Sequence, residues 1–269
     1  YYHRIPERFE VGESIRCGED VVAIEPHERG FALTSRDVET AAERCYTCKY
    51  LVLATGQRGK LRDLGVAGED APFVASRYDQ PADFPGERIV VVGGGRSGDW
   101  AATELHDAGK QVYYAMRQGP EVHGRLIEDS RNGLPYYTRI AEILESRSPR
   151  LQTLYRTRIS AIGGDGQIDL ETPEGRRVVE VDHVIKEIGG IADYSILKGF
   201  EPLQLEPMRD NYRFQVDQVR THVHNYESLD IPNLYIGGYL ASGIGLVVIA
   251  MHGTTYAIAG DILQKERRL

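Results

Sequence analysis

Apolar residues run unbroken from Ile89 to Val92 and lead straight into a cluster of glycines, the pattern of a strand buried on both faces. From Asp99 to Gly109, Ala101, Ala102, Leu105 and Ala108 fall on one helical face. A second apolar run, Gln111 to Met116, supplies the next strand. Strand, glycine turn, helix and strand in that order predict a βαβ unit.

The other apolar runs repeat. Val21 to Ile24 leads through the turn Pro26 to Gly30 into Phe31 to Thr34, then a polar loop and the strand Tyr50 to Gly56. Ile159 to Ile162 leads through Gly163 to Gly166 into Gln167 to Leu170, the turn Pro173-Glu174-Gly175, Val178 to Val181, and Val184 to Gly190. Each copy reads as a meander of strands followed by an apolar strand ending at glycine. The βαβ unit precedes only the second copy. Repeat logic therefore predicts a matching unit upstream of Tyr1, its glycine loop roughly ninety residues earlier, the length of a βαβ unit and its crossover.

The glycines themselves spell Gly-x-Gly-x-x-Gly, in the sequence Gly93-Gly94-Gly95-Arg96-Ser97-Gly98. Gly93 allows a tight turn, Gly95 lets backbone approach a pyrophosphate, and Gly98 lets helix pack on strand. The helix N-terminus then aims N–H groups at phosphate, and Ser97 is placed to cap the helix and donate there. At the end of the second strand, Ala115-Met116-Arg117-Gln118 offers no carboxylate for a ribose hydroxyl before Glu121. Arg117, with Arg125 nearby, suits a 2′-phosphate, so NADP is expected over NAD.

Composition narrows the partners. A net charge of −8 argues against nucleic acid or an anionic membrane surface. The aliphatic stretch Leu246 to Met251 is too short to span a bilayer. Three cysteines are too few for a disulfide scaffold, which makes a reducing cytoplasm the expected compartment.

This organisation resembles the flavoproteins with two dinucleotide-binding domains, the group of thioredoxin reductases, bacillithiol-disulfide-reductase-like proteins and flavin-containing monooxygenases. The resemblance rests on Ala54-Thr55-Gly56, on Gly65 to Asp70, on the Gly93 to Gly98 loop, and on Ile231 to Gly238 with the helix-like run to Asp261. It implies an α/β fold, Rossmann-like, in which an NAD(P)H domain (86–197) is inserted in an incomplete FAD domain (1–85 and 198–269). FAD contacts would fall at Ala54, Thr55, Gly56, Gly237 and Gly238; NADP contacts at Gly93, Gly94, Gly95, Arg96, Ser97, Gly98, Arg117 and Arg125. The activity implied is hydride transfer from NADPH to FAD and on to a disulfide, a small-molecule acceptor or oxygen, with reductase favoured over monooxygenase and a homodimer left open. The alternative is a non-catalytic NADP-binding module, a truncated relic or one half of a split flavoprotein.

Departures from the family pattern matter too. No FAD pyrophosphate loop stands ahead of the first meander, Gly238 is followed by Tyr239 where the family commonly has Asp, and Phe73 to Tyr78 lacks the monooxygenases' fingerprint histidine. Lys186 and Glu187 interrupt the apolar strand, and either pairing or a solvated edge is expected for them. Cys45-Tyr46-Thr47-Cys48 has redox spacing but leads from a loop into a strand, not a helix, so a structural role is expected. His222 and His224, taken as alternating onto one strand face, are the sole added candidates for a metal, and none is expected. Trp100 is read as helix packing, and a place near the flavin, which the resemblance offers for His252, ranks behind an ordinary structural role.

Overall fold

The computed structural model describes residues 4–56, 60–133, 137–200, 203, 205–209, 215–238, 240 and 247–267. The chain divides into two compact units, Tyr1–Lys60 with Ile191–Leu269, and Leu61–Gly190.

In the second unit a five-stranded parallel sheet runs in the order Val74–Ala75, His183–Lys186, Arg88–Val92, Gln111–Ala115, Leu151–Leu154. Period-two alternation sends Ile89, Val91, Tyr114 and Ile185 to one face, where they pack with Ala101, Leu105, Leu126 and Ile140 of three helices. Those helices are Arg96–Asp107, Glu121–Arg131 and Thr138–Ser146. Val90, Val92 and Val184 point the other way, onto Ile159, Ile162, Ile168 and Leu170 of an antiparallel meander. Burial on both sides explains why the strands read as unbroken apolar runs.

The first unit holds the other meander, Glu19–His27, Gly30–Asp37 and Glu43–Cys48. It also holds the parallel pair Leu51–Leu53 and Leu234–Ile236 and the helix Val247–Arg267. Ile24, Phe31, Leu53, Leu234 and Ile236 are its core.

The repeat extends to fine detail. The first strand of each meander carries its register shift at the same aligned place, between Val21 and Ala23 and between Ile159 and Ala161. Gly30 and Gly166, opening the second strands at φ of 131° and 83°, leave no room for a Cβ against the carbonyls of Cys48 and Val181. Ile24 and Ile162 also correspond: each donates its N–H to a crossover carbonyl, of Ile196 at 2.7 Å and of Ala67 at 2.9 Å.

Three expectations change. The unit boundaries lie at 60/61 and 190/191, not at 85/86 and 197/198. Val74–Ala75 is a strand of the second unit's sheet, and the segment through Ile196 is bonded to Ile24 of the first unit. Cys45 and Cys48 lie in a strand, not in a loop. Its outer positions face solvent and carry polar residues, which hides the strand in a hydrophobic pattern. His222 and His224 sit in a turn rather than on a strand face.

Candidate functional site

The glycine loop leaves the middle strand of the five-stranded sheet at its carboxyl end. The chain continues on one side through Gln111–Ala115, while His183–Lys186 flanks the other side, so the loop opens at a topological switch point. Gly93 has φ +123°, and a Cβ there would strike the carbonyl oxygen of Glu187. Its N–H donates to the Ala115 carbonyl at 2.9 Å, fixing the turn on the neighbouring strand. A Cβ on Gly98 would strike the Gly93 carbonyl oxygen and come within 3.0 Å of the Tyr114 hydroxyl. A Cβ on Gly95, by contrast, would meet nothing within 4 Å.

Gly95, not Ser97, is the N-cap, and as a glycine it caps without a side chain. Ser97 lies inside the first turn. Arg96 is exposed, its guanidinium 5.0 Å over the Tyr137 ring. Gly94 faces Gln118, whose side-chain oxygen is 2.7 Å from where a Cβ would stand. Arg117 is exposed just past the second strand, and Arg125 is exposed on the next helix. Trp100, expected in helix packing, is 58% exposed instead.

Lys186 and Glu187 are buried, not at a solvated edge, because their strand is flanked on both sides. Lys186 Nζ is 2.5 Å from Glu69 Oε1, and Glu69 also accepts the N–H groups of Leu64 and Gly65 at 2.6 and 2.8 Å. Burial opposes ionisation of Glu69, but Lys186 and those two amides outweigh it and hold its carboxyl below the ordinary range. Glu187 accepts the Tyr78 N–H at 2.9 Å, and the Tyr78 hydroxyl donates to Glu104 at 2.7 Å. Burial, with the Glu104 carboxylate, pushes the Tyr78 phenol well up.

A buried polar group lies under the loop and was invisible in the sequence pattern. The Tyr114 hydroxyl donates to Asp99 at 2.8 Å, and His123 Nδ1 lies 2.8 Å from the Tyr155 hydroxyl. One signal was available: a tyrosine in a strand buried on both faces needs a partner for its hydroxyl.

In the first unit, the proposed FAD contacts come together. Ala54-Thr55-Gly56 and Gly237-Gly238 follow adjacent parallel strands, so both segments sit at the same carboxyl edge. Gly56 and Gly238 have φ of +73° and +64°, and each has open space where a Cβ would be. This left-handed, uncrowded backbone fits a cradle for a large cofactor. The Gly238 N–H is engaged by the buried Thr254 hydroxyl at 2.9 Å. Gly237 packs close to Val52, Ala54 and Ile258. Tyr239 and the His252 side chain lie outside the described residues.

Cys45 and Cys48 are free thiols, the first exposed and the second half-buried. Three residues apart on a strand, their side chains point to opposite faces about 10 Å apart, too far for a disulfide. Burial raises the Cys48 thiol above its ordinary value, away from reactivity. Among the described residues no group of three metal-ligating side chains exists, and no helix is long and apolar enough to cross a membrane.

Parallel sheet, antiparallel meander and glycine loop together define a Rossmann-like fold of the FAD/NAD(P)-binding kind. The family model for pyridine nucleotide-disulphide oxidoreductases matches residues 1–238, and the chain belongs to that family. A ferredoxin–NADP reductase of Ignicoccus hospitalis is 42% identical over 73 residues, 27% of this chain and 24% of that protein. A dimethylaniline monooxygenase (N-oxide-forming) 2 of Oryctolagus cuniculus is 36% identical over 83 residues, 29% of this chain and 15% of that protein. These matches thus span a quarter or less of the relatives' length. The bacillithiol disulfide reductase Bdr (YpdA) from Staphylococcus aureus superposes with a TM-score of 0.74 at 22% identity, over 98% of this chain and 75% of that one. Thioredoxin reductase of T. acidophilum gives 0.66 at 21%, over 97% and 81%. At these identities the superpositions speak for the fold.

Proposed function

We propose that this chain is an NADPH-dependent flavoprotein oxidoreductase that passes hydride from NADPH to FAD and then to a disulfide, a small-molecule acceptor or oxygen. The observation that carries the reading is the loop Gly93 to Gly98. It opens at a sheet switch point, is packed where Gly93 and Gly98 leave no room for a side chain, and is open at Gly95. Backbone N–H groups of the helix start hold the pyrophosphate there, and Arg117 with Arg125 selects the 2′-phosphate. FAD sits against Ala54-Thr55-Gly56 and Gly237-Gly238, and when bound it supplies the electron-accepting chemistry. The chain's own residues bind and orient the two cofactors.

Reductase chemistry is preferred to oxygenation in this reading on the missing histidine in Phe73 to Tyr78. The pair Cys45 and Cys48, on opposite faces of a strand, is outside the electron path. The test is an absorbance spectrum of the purified, FAD-reconstituted protein during anaerobic titration with NADPH. Bleaching of the flavin band, restored by disulfide or small-molecule acceptors, supports the reading. A protein that retains no flavin and binds no NADPH overturns it.

A further inference from the structure

Four polar side chains from four separate elements meet beneath the glycine loop. Asp99 comes from the first turn of its helix, Tyr114 from the adjacent strand, His123 from the helix Glu121–Arg131, and Tyr155 from just past Leu151–Leu154. Tyr114, His123 and Asp99 are 0%, 3% and 9% exposed. The His123 ring lies tilted against Tyr114 and edge-on to Tyr155, with centroids 5.7 and 5.4 Å apart. Its Nδ1 is bonded to the Tyr155 hydroxyl, while Nε2 makes no hydrogen bond among the described residues and faces Asp99 Oδ1 at 3.5 Å.

The same neighbours carry both arginines. His123 is on the buried side of the helix whose exposed side bears Arg125. The segment that begins with Tyr155 also holds the turn bearing Arg117. There, the Arg156 N–H donates to the Gln118 carbonyl at 2.9 Å and the Thr157 N–H to the Met116 carbonyl at 2.8 Å. Asp99, in turn, belongs to the helix that begins at the pyrophosphate loop.

We infer that His123 is a positioning residue for recognition of the 2′-phosphate. It ties the arginine-bearing helix and turn to the first turn of the dinucleotide helix, and engagement of the phosphate draws Nε2 onto Asp99. The inference rests on the NADPH reading above. It explains why a dry core keeps a ring nitrogen just short of an acceptor: catalytic and binding hydrogen bonds are often long before the ligand arrives. Spacing between the loop and the arginines matters to NADPH, which is gripped at two places, and hardly to NADH, which is gripped at one.

The test measures NADPH and NADH dissociation constants for the parent, for His123→Leu and for Tyr155→Phe. His123→Leu is repeated in an Arg117→Ala/Arg125→Ala background. Expected is an NADPH loss on the order of ten-fold, ~1.4 kcal/mol, with NADH within about two-fold. In the arginine-less background His123→Leu should add nothing, the non-additivity of one coupled unit. Equal losses for both nucleotides, or additive losses, overturn the inference. Tyr155→Phe keeps the ring and should move NADPH the same way, less far, which covers a failure of His123→Leu to fold. A parent without NADPH preference would instead sink the 2′-phosphate reading. The tie is then judged by hydrogen exchange: amides of Glu121–Arg131 must exchange faster in the variants while those of Arg88–Val92 do not, and unchanged exchange refutes it.

Discussion

At the residue scale the sharpest question is what Arg117 reads. If its guanidinium grips a 2′-phosphate, Arg117→Ala should weaken NADPH binding by about 1.5–3 kcal/mol, the range for hydrogen bonds to charged groups, and leave NADH nearly untouched. Paired calorimetric titrations decide it; equal losses would mean that Arg117 supports the fold. Gly98 makes a different claim. Gly98→Ala pushes a methyl group into the Gly93 carbonyl, so the loop must move and both nucleotides should lose affinity together. Cys45→Ser/Cys48→Ser should leave NADPH-dependent turnover within a few-fold of the parent. Abolished disulfide reduction with intact flavin bleaching would show that the thiols relay electrons after all.

At the element scale, the strand His183–Lys186 separates what the sequence revealed from what it hid. The strands Arg88–Val92, Gln111–Ala115 and His183–Lys186, the Gly93 to Gly98 loop, the second meander and the first two strands of the other were legible because period and punctuation mark them locally. The pairing of Lys186 with Glu69 was not, since the partners are far apart in sequence and only the sheet order joins them. The Asp99, Tyr114, His123 and Tyr155 cluster escaped for the same reason, and the third meander strand escaped because its solvent face is polar. The buried pair gives a prediction of its own. Lys186→Met or Glu69→Gln alone leaves a stranded partner and should cost roughly 3–5 kcal/mol in urea unfolding, while replacing both with apolar residues should cost much less. Similar losses for single and double changes would contradict the buried pairing.

At the scale of the whole molecule, acid stability follows from carboxylates held low in the folded state. Bonding to Arg139 brings Asp107 down to about 2, against an opposing burial effect. The Arg88 N–H lowers Asp182, and the Ser195 side chain lowers Asp193. A depressed folded pKa contributes stability that is complete above the unfolded value and is lost as pH falls through the folded one. Melting temperature should therefore be level above pH ~5 and fall progressively between pH ~4 and ~2 as these groups protonate. A melting curve that keeps its midpoint down to pH ~2.5 would contradict these pairings.

Trp100 is the chain's single tryptophan, and it stands in the open one turn along the helix that begins at the glycine loop. The chain thus carries one indole fluorophore, already wet in the native fold and close to where the dinucleotide would dock. Its emission should lie near that of tryptophan in water and shift little on unfolding. Binding of NADPH, whose nicotinamide absorbs where indole emits, should quench it. Nature has left this chain a light that reports occupancy rather than folding.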